Sequence, residues 1–142
     1  KQAIAETLRD NILDSFSISI DDIRRRNRKA SEQLREIVDL LFKLTDDAPE
    51  IVQFLLFINT ENFLPDSVPL MDSAAFNKIK RIIQNGIKEG EIRSIDYLLA
   101  YCYFFGIINQ TLLMVLNGAL PKSADCYQSQ AWLAAWGCIA KK

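Results

Sequence analysis

Few side chains in this chain of 142 residues are equipped for chemistry, and their spacing does not favour catalysis. Histidine is absent, which removes the commonest general base and the commonest metal ligand. Carboxylates occur in close pairs, Asp46 with Asp47 and Glu89 with Glu91, but both pairs fall at expected helix ends. No nucleophile–base constellation can be assembled without unusual lysine or carboxylate chemistry. Neither an enzyme nor a cofactor nor a metal site is expected. The three cysteines, Cys102, Cys126 and Cys138, are odd in number and lack metal-ligand spacing. Cys102 lies in an apolar run and is expected as a small core residue.

Binding chemistry is better supplied. The basic run 24–29 could attract phosphate, but Asp21, Asp22, Glu32 and Glu36 surround it and no aromatic residue interleaves it. A solvated helix face, with Asp21–Arg25 and Asp22–Arg26 as i,i+4 pairs, is the expectation. The net charge of −1 excludes a chain-wide nucleic-acid footprint. Phe54, Phe57, Phe63, Tyr101, Tyr103, Phe104 and Phe105 form an aromatic-rich set on three segments. Ligand cavities are mostly apolar with a few orienting polar groups, and Asn59, Tyr103, Asn109 and Gln110 are available for that role. The expected ligand-binding residues are Phe54, Phe57, Asn59, Phe63, Tyr103 and Gln110, in a cavity between segments 50–60, 74–88 and 95–117. Tyr103 and Gln110 are seven residues apart and share a helix face. For that pair, satisfied core or interface polarity is as good a reading as pocket lining.

The elements that must position these residues read as helices throughout. A charged fraction of 25% and an apolar fraction of 49% suit one globular domain. Strand alternation is absent, and the few glycines and prolines punctuate helical periods. The chain opens in helical register with Ile4, Leu8 and Ile12 on one stripe and no Met, so an upstream segment is expected. The first helix runs at least to Phe16. Ser19 and Asp22 mark either a second start near Ile20 or a continuation. Ser31 is read as the cap of a helix 32–44, with Leu34, Ile37, Val38, Leu41 and Leu44 on one face. Asp46, Asp47 and Pro49 break the chain before a helix 50–60. A loop 62–71 follows, then a helix 74–88 capped by Asp72 or Ser73. Gly90 suits the left-handed position after that helix. Ser94 is the expected cap of a helix 95–117, with Asp96 in its first turn. Gly118 and Pro121 stop that helix, and Ser123 or Asp125 opens the last.

Helix 95–117 is apolar almost all round, so one side needs a burial partner beyond its own domain. The stretch is long enough to span a bilayer, but Asn109, Gln110 and Thr111 interrupt it in the middle, where polar residues are costly. A second subunit is the expected partner. Trp132 and Trp136 are i,i+4 neighbours among Ala131, Ala134, Ala135, Gly137 and Ala140, which let another helix approach closely. Leu112, Leu116, Trp132 and Trp136 are the expected interface residues.

The order of pieces resembles the C-terminal regulatory domain of the TetR family of transcriptional regulators. K-Q-A-I-A-E-T-L looks like the segment leaving that family's DNA-binding headpiece. The D-D-A-P-E break and the aromatic helix ending in N-T-E-N-F-L-P follow. I-I-Q-N-G-I-K-E-G-E-I-R-S-I-D is the most family-like stretch, and two long apolar helices close the chain. The resemblance covers residues 1–142 and implies one regulatory domain. Its fold would be an all-α, antiparallel bundle of about six helices, the last two forming a four-helix bundle with their symmetry mates. It implies a cytoplasmic homodimer that binds a small apolar ligand, does not enter a membrane, and represses transcription until the ligand releases it from DNA. The family's helix-turn-helix headpiece has no counterpart in these residues, so DNA contact would run through an upstream headpiece and not through this chain. The alternative is a helical protein-interaction module without a ligand.

Overall fold

The first helix, α1, runs unbroken over Gln2–Arg26. The possible restart near Ile20 does not occur, and the Ser19 hydroxyl instead donates to the Ser15 carbonyl one turn back. Leu13, Phe16, Ile20 and Ile23 recur at helical spacing and bury one stripe in the core. The computed structural model describes residues 2–57 and 69–142.

Helix α2 spans Ala30–Asp47, longer at both ends than its apolar period suggests. Lys29 occupies the N-cap position, and Ser31 lies inside the first turn. The cap comes from far along the chain. The Glu91 carboxylate accepts from the Ala30 N–H at 2.7 Å, the Ser31 N–H at 3.3 Å and the Ser31 hydroxyl at 2.9 Å. A carboxylate there satisfies orphan donors and faces the positive end of the helix dipole. Leu34, Ile37, Val38, Leu41 and Phe42 are buried, and α2 touches each of the other five helices.

Pro49 opens α3, Pro49–Val52, at the position where a missing N–H costs nothing. The chain then continues as a π-helical turn, Gln53–Phe57. A 3₁₀ turn, Leu70–Asp72, leads into α4, Ala74–Lys88. Ser73 caps α4 by accepting from the Phe76 N–H. Gly90 closes it in the left-handed conformation, with φ +82°. Gly86, near the end of α4, lies where α2 begins. A Cβ there would meet Ala30 Cβ at 2.9 Å and Ile92 Cδ1 at 2.6 Å.

Helix α5 spans Tyr97–Leu116 and is capped by Asp96, which accepts from the Leu98 N–H at 2.8 Å, rather than by Ser94. Gly118, with φ +82°, ends it. Ala100, Tyr101, Phe104, Phe105, Ile108 and Leu112 form its buried stripe. Among the described residues α5 is the one helix long and apolar enough to cross a membrane by length and composition. After a 3₁₀ turn, Ala124–Tyr127, with Ser123 at its N-cap position but no capping hydrogen bond from that side chain, α6 spans Gln128–Ile139 and packs along α5. Asp46 fixes that turn by accepting from the Ala124 and Asp125 N–H groups at 2.7 and 3.0 Å. The end of α6 is tied to the link between α4 and α5. Arg93 N–H donates to the Ile139 carbonyl and Lys141 N–H to the Glu91 carbonyl, each at 2.9 Å. The result is the expected all-α bundle of about six helices.

Candidate functional site

Three surfaces could carry function: an apolar cavity on α1, a polar cleft at its C-terminal end, and the outer face of α5 and α6. The cavity measures about 300 Å³ and lies between α1, α2 and the α3–π segment. Phe16 and Leu55 form its buried floor, and Ile12, Leu40, Leu44 and Ile51 its half-buried walls. Asn11, Ser15 and Ser19, successive turns of α1, supply the polar lining. None of the lining residues is charged. This is the apolar, sparsely polar chemistry of a small-molecule site.

The cavity is not where the aromatic set pointed. Phe54 and Phe57 are half-buried, with Phe57 packed on the core. Asn59 and Phe63 lie outside the described residues. Tyr103 and Gln110 do share a face of α5, but it is the exposed face. Tyr103 is 41% exposed, with the Arg93 guanidinium 6.0 Å from its ring centre. The expectation that Tyr103 walls an internal cavity with Phe57 is corrected. Once Ala100, Phe104 and Ile108 turn inward, residues 103 and 110 must turn away on a 3.6-residue period. Of the polar residues on α5, Asn109 alone has a buried, unpartnered atom, its Oδ1, among the described residues. The serines and Asn11 of α1 gave no aromatic or motif signal. Only their i,i+4 recurrence beside Ile12 and Phe16 marks them.

The polar cleft, about 540 Å³, is lined by Asp21, Arg24, Arg25, Arg28, Glu89 and Glu91 among others. Part of its charge is engaged. Asp21 accepts from Lys78 Nζ at 2.8 Å, and Arg25 pairs with Asp22. Arg26, in the same basic run, reaches Glu36 on α2 at 2.6 Å. These pairs replace the expected Asp21–Arg25 and Asp22–Arg26 pairs, because Lys78 and Glu36 approach from neighbouring helices. The Lys78 hydrogen bond holds the Asp21 carboxyl below the usual carboxylate range, and the Arg26 hydrogen bond does the same for Glu36.

The expected interface residues divide. Leu112 is fully buried within the chain's own core and has no surface left for a partner. Trp132 is also buried. It stacks on Trp136 at 5.6 Å, meets the edge of Phe104 at 5.9 Å, and carries the Arg35 guanidinium 5.5 Å from its ring. Leu116 and Trp136 are half-buried at the margin. The open apolar surface consists of Leu98, Leu99 and Tyr103 on α5 and Leu133, 69% exposed, on α6. Gly106 and Gly137 have nothing within 4 Å of where a Cβ would stand. Cys102 is exposed on this side rather than buried as a core residue, because Tyr101 takes the inward position beside it. Among the described residues no three carboxylates or thiols gather where they could hold a metal ion.

No protein-family model and no curated protein matches the chain. A solved structure does: a TetR family transcription regulator from Marinobacter aquaeolei VT8, with a TM-score of 0.77 at 20% identity. The match covers 100% of this chain and 74% of that one. The chain therefore has the all-α fold of a TetR-family transcription regulator.

Proposed function

We propose that residues 1–142 are the effector-binding and dimerisation domain of a cytoplasmic TetR-like transcriptional repressor. The observation that carries this reading is the position of α1 in a regulator fold. Its middle turns line the apolar cavity, and its first turns project Ile4, 74% exposed, and Leu8 outward. The helix that a DNA-binding headpiece would join is thus also a wall of the ligand site. A small apolar molecule in the cavity favours one packing of α1 against α2 and α3. Two headpieces in a dimer then change spacing and no longer match two DNA half-sites. Differential affinity for the two packings is all this requires.

The second copy sits on the outer face of α5 and α6. That face exposes Leu98, Leu99, Tyr103 and Leu133, and its two glycines permit close helix approach. An apolar area of this kind on a soluble protein marks an interaction surface, and the lack of charge along α5 suits a desolvated four-helix contact. The same lack of charge would suit a bilayer, but a dimer covers the face without burying Asn109 and Gln110 in hydrocarbon.

Sedimentation of the purified chain in the absence of detergent tests the assembly. A dimer at micromolar concentration is expected. Leu99→Arg and Leu133→Arg alter exposed side chains, so each should fold while weakening association by about 100-fold or more, the effect of an unpaired charge in a desolvated contact. A monomeric wild-type chain would refute the dimer. The reading frame upstream of Lys1 tests the regulator assignment. It should encode a helix-turn-helix segment rich in Lys and Arg, and a start codon directly before Lys1 would remove the DNA-binding role. A helical interaction module without a ligand is the competing outcome, and it predicts no thermal protection by any apolar molecule.

A further inference from the structure

The cavity on α1 supports a narrower statement about its occupant, which rests on the effector reading above. We infer that the ligand is a neutral amphiphile, with an apolar body of about ten non-hydrogen atoms and one uncharged hydroxyl, carbonyl or amide head. The size follows from the 300 Å³ of space, at roughly 30 Å³ per heavy atom, the share a water molecule takes in its liquid. The charge follows from the lining. No Lys, Arg, Asp or Glu borders the cavity, so an ionic head placed there would find no counter-ion and would set its charge against an apolar wall.

The head has a defined place. Ser19 already spends its hydroxyl proton on the Ser15 carbonyl. The Asn11 amide and the Ser15 hydroxyl are exposed to solvent at the edge of the cavity. Each can donate and accept, so together they recognise a neutral polar group and do not select a charge. The apolar body would lie between Ile12 and Phe16 on one side and Leu40, Leu44 and Leu55 on the other. A second observation points to the same place: Leu55 reaches the cavity from the π-helical turn Gln53–Phe57. π-Helical turns are rare and recur at functional sites.

Methyl NMR titration of the full chain with 1-octanol, octanoate and octylammonium tests the assignment. These probes share a chain length and differ in the charge of the head. Saturable shifts at the methyls of Ile12, Leu40, Leu44, Ile51 and Leu55 are expected with 1-octanol, at an affinity roughly tenfold or more above either ion. Ser15→Asp, at an exposed position, should reverse the order in favour of octylammonium. Leu44→Phe should fill the cavity and abolish the octanol shifts, and Ser15→Asp keeps the test decisive if that variant fails to fold. Equal or tighter binding of octanoate or octylammonium by the wild type overturns the neutral class while leaving an effector site in place. Octanol shifts centred on Leu98 and Leu133 instead, or no saturable shift with any probe, overturn the site itself. The regulator assignment falls separately, on the upstream reading frame and the oligomeric state.

Discussion

Gly86 shows how one residue sets the distance between two helices. Helix-interior glycine ordinarily costs about 1 kcal/mol relative to alanine, so Gly86→Ala would stabilise an isolated helix. Here the added methyl would lie 2.6 Å from Ile92 Cδ1 and 2.9 Å from Ala30 Cβ. Ile92 is buried, and Ala30 belongs to the turn held by Glu91, so neither neighbour yields cheaply. Overpacking of this kind costs about 1–3 kcal/mol. The expected net result for Gly86→Ala is a loss of about 1 kcal/mol, read as a lower urea midpoint at unchanged slope. A raised midpoint would mean that the α2–α4 contact is looser than these distances require. Glu91 belongs to the same junction. Its side chain caps α2 and its backbone carbonyl receives Lys141, so one residue joins three segments.

At the scale of elements, α1 is fastened to its neighbours by charge as well as by its apolar stripe. Lys78 on α4 donates to Asp21 at 2.8 Å and to Ser17 at 2.7 Å. Glu36 on α2 accepts from Arg26 and Asn27. Both carboxyls have lowered pKa values in the fold. Their contribution is therefore full above the ordinary carboxylate pKa and is lost as pH falls through the lowered values. Asp39 behaves oppositely. Burial raises its pKa, although it accepts from Gln128 and lies near Arg35. Its charged form is penalised at neutral pH, and protonation on acidification relieves that penalty. Unfolding free energy measured from about pH 7 to about pH 3 should accordingly fall less steeply in Lys78→Met than in wild type. In Asp39→Asn it should fall more steeply, from a neutral-pH value no lower than that of wild type. Parallel curves for all three proteins would show that neither the Lys78–Asp21 contact of α1 nor Asp39 of α2 governs the pH dependence of stability.

For the whole molecule, the proposed dimer through the open face of α5 and α6 would make stability a function of concentration. A partner that binds only the folded state stabilises it by mass action. The thermal midpoint of the wild-type chain should therefore rise with protein concentration. In Leu133→Arg, a substitution at an exposed position, it should become nearly independent of concentration. A wild-type midpoint that stays constant over a hundredfold range of concentration would contradict the dimer. The neighbouring tryptophans offer a further readout. Trp132 is enclosed by Phe104, Trp136 and Arg35 inside the bundle, so its emission should report folding, whereas half-buried Trp136 should also respond to the proposed association.

What the sequence determined by itself was local. Pro49 at a helix start, Ser73 as the cap of α4, and Gly90 and Gly118 as left-handed stops are all legible, because the energies that fix them act within a few residues. The apolar period of α2 and α4 likewise names their buried faces. The tertiary structure decided the rest. Evenly apolar helices have almost no periodic signal, so only the packing of α5 with α4 and α6 could show that Leu112 of α5 faces inward while Tyr103 of α5 and Leu133 of α6 face out. The caps of α2 and of the turn 124–127 come from Glu91 and Asp46, 61 and 78 residues away from Ala30 and Ala124. No local preference encodes those partners. The cavity, too, arises only where α1, α2 and the π-helical turn fail to fill the space between them. A void is a property of three surfaces meeting, and no single segment carries its signature.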